Sequence, residues 1–578
     1  MLQEFTLSRG KAMINFTRKY CDTKQKLLNS HGFRRFVESF IKEVAKKDEV
    51  VIYEYYLSNF DSEEELITSL IEVFKLLTVF NIKEVIEVNN KYAIFFEDKD
   101  LFIEVTELMF SYWKKLERYA FVINNHVGDG LQNVRFIQAN SMFNELILST
   151  GRRIQQTVIG HPNRIFRQST AGAIAGLTLN NINWNCPLEY RGLLSIPFIS
   201  KVVIQPPFIS YTKRNTRDGI FQESKVNPLK NIVLNDDEWF VFPAKVGSML
   251  TFVYFHKDFM VHGISLSNLF EIAIENEYVG KKPDMIYLFG YPDGAEEKRT
   301  FYYKDKENDI LIGYANYCDD IDYFGYMKKM LLTLHNVKQI EKGCLPIHGA
   351  MVNIVLKNGN ESNIIIMGDS GAGKSESLEA FRTLNENYIR HMRTIFDDMG
   401  YLVKEKDGSI KAYGTEIGAF VRVDDLDPAY AFAQLDRGIY TNMDKVNARV
   451  TIPISTYEVI SKGYPIDYFL YANNYDEADK KIRIYDDLDA AIQVFEDGAR
   501  KAKGTTTEKG LVKSYFANPF GPVQERTETE KLVRSFFKDM KNAGVKIGEM
   551  NTSLAIDGKA KTGPREAAEE LFFLINHD

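Results

Sequence analysis

The 578-residue chain is 45% hydrophobic and 26% charged, with a net charge of −7 at neutral pH. That balance fits an ordinary globular protein of about two or three domains, and the acid excess argues against nucleic acid as a partner. Cys21, Cys186, Cys318 and Cys344 lie far apart and form no C-x-x-C pair, which speaks against a disulfide framework or structural zinc and for a reducing compartment. With no secretion-signal core and no apolar run near ~18 residues, a cytoplasmic protein without a membrane partner is expected.

Up to residue 130 the chain reads as largely helical. Phe33, Phe36, Val37, Phe40, Ile41 and Val44 recur at helical spacing, the pattern of one apolar face packed into a core. "DSEEELITSLIEVFKLL" from Asp61 opens another helix, with Ser62 and Glu65 at capping-box spacing. From 131 to 320 the pattern turns to short strands: "GLLSIPFISKVVIQPPFISY" and "EWFVFPAKVGSMLTFVYFH" are β-branched and aromatic, broken by Pro and Gly. Beyond 321 strands alternate with helices. "MVNIVL" and "SNIIIM" flank Asn358-Gly359, a hairpin-turn signal. Late in the chain, "ETEKLVRSFFKDMKNAG" and "GPREAAEELFFLI" are amphipathic helices, the first stopped by Gly544. The expected fold class is α/β in three parts: a helical N-terminal region (1–130), a mixed α/β substrate-side lobe (131–320) and a nucleotide- and metal-binding lobe (321–578).

One stretch carries specific chemistry. Gly368, Asp369, Ser370, Gly371, Ala372, Gly373, Lys374 and Ser375 spell G-x-x-x-x-G-K-S between an apolar strand and a helical run. Glycines let successive N–H groups converge on phosphate oxygens at a helix N-terminus. Lys374 would neutralise the β- and γ-phosphates of ATP, and the Ser375 hydroxyl would ligate Mg²⁺. Downstream, "RTIFDDMGYL" offers Asp397 and Asp398 at a strand end, a carboxylate pair suited to hard divalent cations.

Read together, further segments resemble the ATP-dependent phosphoenolpyruvate carboxykinase family. "YFGYMKKML" (323–331), "LPIHGAMVNI" (345–354), "FDDMG" (396–400), "TEIGAFVRVDDL" (415–426) and "VNARVTIPI" (446–454) follow the family's order around the phosphate loop. "FLYANNYDE", "GTTTEKG" and "SYFANPFGPVQ" resemble the family's C-terminal part, which closes over the adenine. The resemblance fades before 300 and covers nothing in the first 130 residues.

The resemblance implies a bilobal carboxykinase-like fold with a P-loop half. It implies conversion of oxaloacetate and ATP to phosphoenolpyruvate, CO₂ and ADP, by a monomer or small homo-oligomer whose partner is the small-molecule substrate. Lys329, His348 and Asp398 would ligate Mn²⁺, the lysine only when neutral. Ser375 would serve the nucleotide's Mg²⁺, with Asp397 in that ion's outer shell. Arg449 would steady the enolate and bridging phosphate oxygens. Tyr323 and Lys328 would line the carboxylate and CO₂ end, and Arg422 would replace a lysine near the γ-phosphate. Glu416 and Lys509 fall on the nucleotide side. The arginine that grips the oxaloacetate carboxylate is matched by Arg152 in "LSTGRRIQQT".

The sequence also departs from the family. "GDSGAGKSE" is spelled more like HPr kinase/phosphorylase, Tyr326 replaces a glutamate, and "FDDMG" lacks the family's Glu-His. Two alternatives therefore stand beside the carboxykinase: a kinase for a protein or small-molecule hydroxyl, and a non-catalytic nucleotide sensor with the N-terminal region as its docking part.

Overall fold

The computed structural model describes residues 5–17, 21–45, 50–123, 131–160, 170–217, 219–369, 371–383, 389–423, 434–502, 510–560 and 562–577. The chain is mixed α/β and forms two compact units. One comprises Met1–Asn181, Ile199–Phe208 and Asp236–Glu238; the other Ile182–Phe198, Ile209–Asn235 and Trp239–Asp578. The division falls at Asn181 rather than near residue 130, so the long helix Leu131–Ile159 belongs with the N-terminal unit.

The N-terminal unit is not wholly helical. Lys11–Asn15 pairs antiparallel with Phe5–Ser8 and parallel with Glu117–Ile123, which continues in parallel to Ala175–Asn180. These strands carry charges that disguise them in the sequence: Lys11 and Glu117 are both buried, as an ion pair at 3.8 Å. Arg118 is buried too. Its guanidinium donates to the carbonyls of Trp113, Lys114 and Leu116 where the helix Lys99–Lys115 ends, and to Gly172. A cation there satisfies orphan carbonyls and the helix dipole, while burial brings the guanidinium down to about 10.

The helical readings hold where the apolar stripe is local. Phe36, Val37 and Phe40 are buried on the helix His31–Phe40, which widens into a π turn over Ile41–Ala45. The helix Glu63–Leu77 is capped by Ser62, whose hydroxyl accepts from the Glu65 N–H. The return bond runs from the Asp61 N–H to the Glu65 carboxylate, one residue earlier than a capping box requires.

The second unit holds two main sheets. In one, Trp239–Val246 and Met249–His256 form an antiparallel hairpin; Met285–Tyr291 and Ile310–Asn316 continue it in parallel, and Thr300–Asp305 closes it antiparallel. The helix Phe324–Glu341 packs on this sheet. In the other, the twelve-residue strand Leu345–Leu356 pairs antiparallel with Met399–Lys404 along its first half and with Ile389–Phe396 along its second. Glu361–Met367 lies on its far side, joined by the expected turn at Gly359, whose φ of 98° suits glycine. Tyr468–Asn473 and Lys546–Asn551 extend the sheet in parallel. A smaller sheet sets Arg449–Pro453 between Gly418–Arg422 and Ile439–Thr441. Among the described residues no helix is long and apolar enough to cross a membrane.

Candidate active site

Backbone pairing in the second unit brings the candidate residues together. On the long strand, the Gly349 N–H donates to the Asp398 carbonyl, and the Gly368 N–H donates to the His348 carbonyl. Those two bonds set the acidic turn and the start of the glycine loop on either side of one histidine. A side chain at Gly349 would stand 2.9 Å from the Ile366 carbonyl, so glycine permits this close approach.

Three cationic or basic groups converge on Asp398. Lys328 and Lys329, consecutive on the helix Phe324–Glu341, place their Nζ atoms 2.7 and 2.9 Å from Oδ2; His348 Nε2 lies 2.9 Å from Oδ1. Burial would raise the Asp398 carboxyl, but Lys328, Lys329 and His348 hold it well below the usual carboxylate range. The two lysines part ways. Burial works against the charge on each, yet Asp398 and Glu416 together raise Lys328, whereas burial and the neighbouring Lys328 leave Lys329 below its usual value. Lys328 is thus the more firmly charged of the two lysines.

His348 is turned by a second contact. Its Nδ1 faces the Ala517 carbonyl at 2.8 Å and Asp369 Oδ1 at 3.6 Å, so Nδ1 carries a proton and donates. Burial and Lys374 push the ring below its usual value, towards the neutral form. A neutral ring protonated at Nδ1 presents the Nε2 lone pair to a carboxylate oxygen at 2.9 Å. With that tautomer the two atoms could both ligate one divalent cation, whereas a ring protonated on both nitrogens donates to Asp398 instead. The set of imidazole nitrogen, carboxylate and depressed-pKa amine therefore fits a borderline divalent ion such as Mn²⁺. Among the described residues no three His, Cys, Asp or Glu side chains form a metal-holding group; the third donor would have to be the Lys329 amine.

The glycine loop follows Glu361–Met367 and opens the helix Lys374–Thr383. Gly371 and Gly373 have φ of 81° and 106°. Lys374 is buried, its ammonium donating to the Gly368 carbonyl at 2.6 Å and that of Asp369 at 3.3 Å. The loop is braced from outside: Thr552 Oγ1 donates to the Ala372 carbonyl and Asn474 Nδ2 to that of Gly371. Ser370 lies outside the described residues, as does Lys509, and the described part of Ser375 is its backbone at the helix start. Asp397 sits half-buried at the turn beside Asp398.

Tyr323 is hydrogen-bonded to Arg449, and Phe420 packs on both, 5.7 Å from the tyrosine ring and 5.5 Å from the guanidinium. Arg422 stands in register opposite Arg449. Glu416 is not on an open nucleotide surface: it is 2% exposed, 3.2 Å from Lys328 Nζ. Burial, with Asp398 nearby, pushes its carboxyl up to about 7 although Lys328 draws it down.

Arg152 belongs to the N-terminal unit, on the helix Leu131–Ile159, where it lines a pocket of that unit. Four contributors escaped the sequence reading. Arg500 is buried with its Nε 2.9 Å from Asp369 Oδ2. Phe520 lies over the Lys329 ammonium at 4.8 Å, and the Arg217 guanidinium covers the same ring at 5.1 Å. The Ala517 carbonyl is aimed at His348 by a left-handed backbone at Phe516 and Ala517, φ 52° and 47°, costly for side chains with a Cβ and usual where function imposes it. The stretch "SYFANPFGPVQ" was legible as part of the site, but these two residues meet Lys329 and His348. No family model matches the chain, and no curated protein matches it.

Proposed function

We propose that the second unit catalyses ATP-dependent decarboxylation and phosphorylation of oxaloacetate to phosphoenolpyruvate, as a divergent ATP-dependent carboxykinase with a carboxykinase-like bilobal fold. The supporting observation is the meeting of Lys329, His348 and Asp398 within 2.9 Å contacts, next to a glycine loop whose lysine reaches His348 electrostatically. A divalent cation held by those three would supply Lewis-acid stabilisation of an enolate oxygen.

The chain's own groups account for the rest. Loop amides and Lys374 hold the triphosphate, with Ser375 and Asp397 on its Mg²⁺ side. Tyr323 and Lys328 receive the carboxylate that departs. Arg217, beside Phe520 and Tyr323, is the second unit's candidate for gripping the remaining carboxylate. As the C–C bond breaks, CO₂ leaves and its electron pair forms the enolate. The enolate oxygen then attacks the γ-phosphorus and ADP leaves, with no proton consumed. Arg449 and Arg422 face the charge that develops on the transferring group, and Phe520 shields Lys329 from water.

The alternative, phosphorylation of a protein or small-molecule hydroxyl, is supported by the spelling of the loop, GDSGAGKSE. Incubating the protein with oxaloacetate, ATP, Mg²⁺ and Mn²⁺ separates the readings. Phosphoenolpyruvate formation that is lost in Lys374→Ala is expected. ATP consumption with hydroxyl acceptors, and none with oxaloacetate, would replace the carboxykinase by the kinase; ATP binding without turnover would leave the sensor.

A further inference from the structure

The Tyr323 ring is seated by its chain neighbours. The tyrosine backbone is extended, φ −150° and ψ 127°, as it enters the helix Phe324–Glu341, and the ring lies across Gly325. A Cβ on Gly325 would stand 2.3 Å from the ring's Cε1 and 2.8 Å from Cδ1, so only glycine leaves the ring that place. His262, buried on the helix Met260–Ser265, grips the residues on both sides of the tyrosine. Its Nε2 lies 2.9 Å from Asp322 Oδ1, and its ring stacks on Phe324 with centroids 6.2 Å apart.

Asp322 extends this grip to the strand that carries Arg449. Its Oδ2 accepts from the Lys213 N–H at 2.9 Å, and its carbonyl accepts from the Arg214 N–H at 3.2 Å. The same loop is held from its other side by Asn442. There Oδ1 accepts from the Thr212 N–H at 2.8 Å, while Nδ2 donates to Thr212 Oγ1 at 2.9 Å and to the Arg214 carbonyl at 3.2 Å. Asn442 is buried in a left-handed conformation, φ 55°, that asparagine tolerates. It follows Thr441, the cross-strand partner of Arg449. Hydrogen bonds thus run from the residue before Tyr323, through the loop 212–214, to the residue after the partner of Arg449. A buried network bonded in this way is rigid, and it fixes the phenol and the guanidinium relative to each other.

We propose that Gly325, His262 and Asp322 are positioning residues that hold the Tyr323 phenol against Arg449, and that they set affinity for the carboxylate end of the substrate without touching it. The proposal rests on the carboxykinase reading, in which Tyr323 receives the departing carboxylate. The nucleotide's groups stand on other elements, with Lys374 opening the helix Lys374–Thr383 after the strand Glu361–Met367. A displaced phenol therefore weakens one substrate and spares the other.

The test is the initial rate of phosphoenolpyruvate formation by the full-length protein, with oxaloacetate and ATP varied separately. Gly325→Ala is the first variant: alanine favours a helix over glycine, so the fold persists while the new Cβ displaces the ring. Its KM for oxaloacetate should rise about tenfold or more, the worth of a hydrogen bond to a charged group. Its KM for ATP should stay within about twofold of wild type, a split that a general loss of structure would not produce. Asp322→Ala should behave in the same way. Asp322→Asn should recover most of the loss, because the amide oxygen still accepts from Lys213 and the amide nitrogen donates to His262 in its other tautomer. A wild-type protein that forms no phosphoenolpyruvate would remove the carboxykinase reading and this proposal with it. With the wild type active, an unchanged oxaloacetate KM in Gly325→Ala, equal rises in both KM values, or an Asp322→Asn protein no better than Asp322→Ala would overturn the proposal alone.

Discussion

Glu416→Gln makes the electrostatics of the second unit measurable. The carboxyl rises from 4.5 to about 7, which at ~1.4 kcal/mol per pH unit is ~3 kcal/mol. The sign follows from proton binding: between 4.5 and about 7 the folded state holds a proton that the unfolded state releases, so this group's contribution to stability falls as pH rises through that window. Glutamine occupies the same space and does not titrate. Urea unfolding of both proteins at a series of pH values should therefore show the variant gaining on the wild type by ~3 kcal/mol from pH 4.5 to 7.5. The difference should be flat outside that interval. Because Asp398 is held ionised well below the window, it adds no slope there. A difference independent of pH, or one growing towards acid, would refute the assignment of a buried, destabilised carboxylate.

Other perturbations probe the remaining contacts. Arg500→Met leaves the buried Asp369 without its partner and should cost about 3–5 kcal/mol in urea unfolding; a loss below 1 kcal/mol would show that the pair does not brace the loop. Gly373→Ala, at φ 106° with Thr552 2.7 Å from the new Cβ, should weaken ATP binding at least tenfold by calorimetry, and wild-type affinity would remove the loop from the nucleotide site. Phe520→Ala uncovers Lys329, relieving the burial that depresses it. Its amine should then need higher pH to become neutral, and Mn²⁺ affinity should shift to more alkaline pH; an unshifted profile would contradict the shielding.

What was legible in the sequence was local. The Asn358-Gly359 turn, the Ser62 cap and the strand–loop–helix around Gly368 each depend on residues a few positions apart; the turn and the strand–loop–helix fold as read, and at Ser62 the side-chain cap forms while the return bond shifts to Asp61. The strands Lys11–Asn15 and Glu117–Ile123 were hidden because Lys11, Glu117 and Arg118 mimic surface residues; Lys11 and Glu117 are partnered with each other across a hundred positions, and Arg118 with nearby helix-end carbonyls. Asp398 and His348 could be paired from the order of motifs. Arg500, Ala517 and Phe520 could not, since the first two reach the site across 131 and 169 positions and no local pattern announces a contact of that span. Arg152 lies on the long helix, where it lines a pocket of the N-terminal unit.

The most direct measurement is Mn²⁺ binding by calorimetry in buffers of different ionisation enthalpy. Lys329 donates to Asp398 as an ammonium and can ligate only as an amine, so one Mn²⁺ should bind with release of about one proton near neutral pH. Binding should fall at least tenfold in both His348→Gln and Asp398→Asn. Binding that releases no proton, or that survives both substitutions, would contradict the convergence of these side chains on a metal.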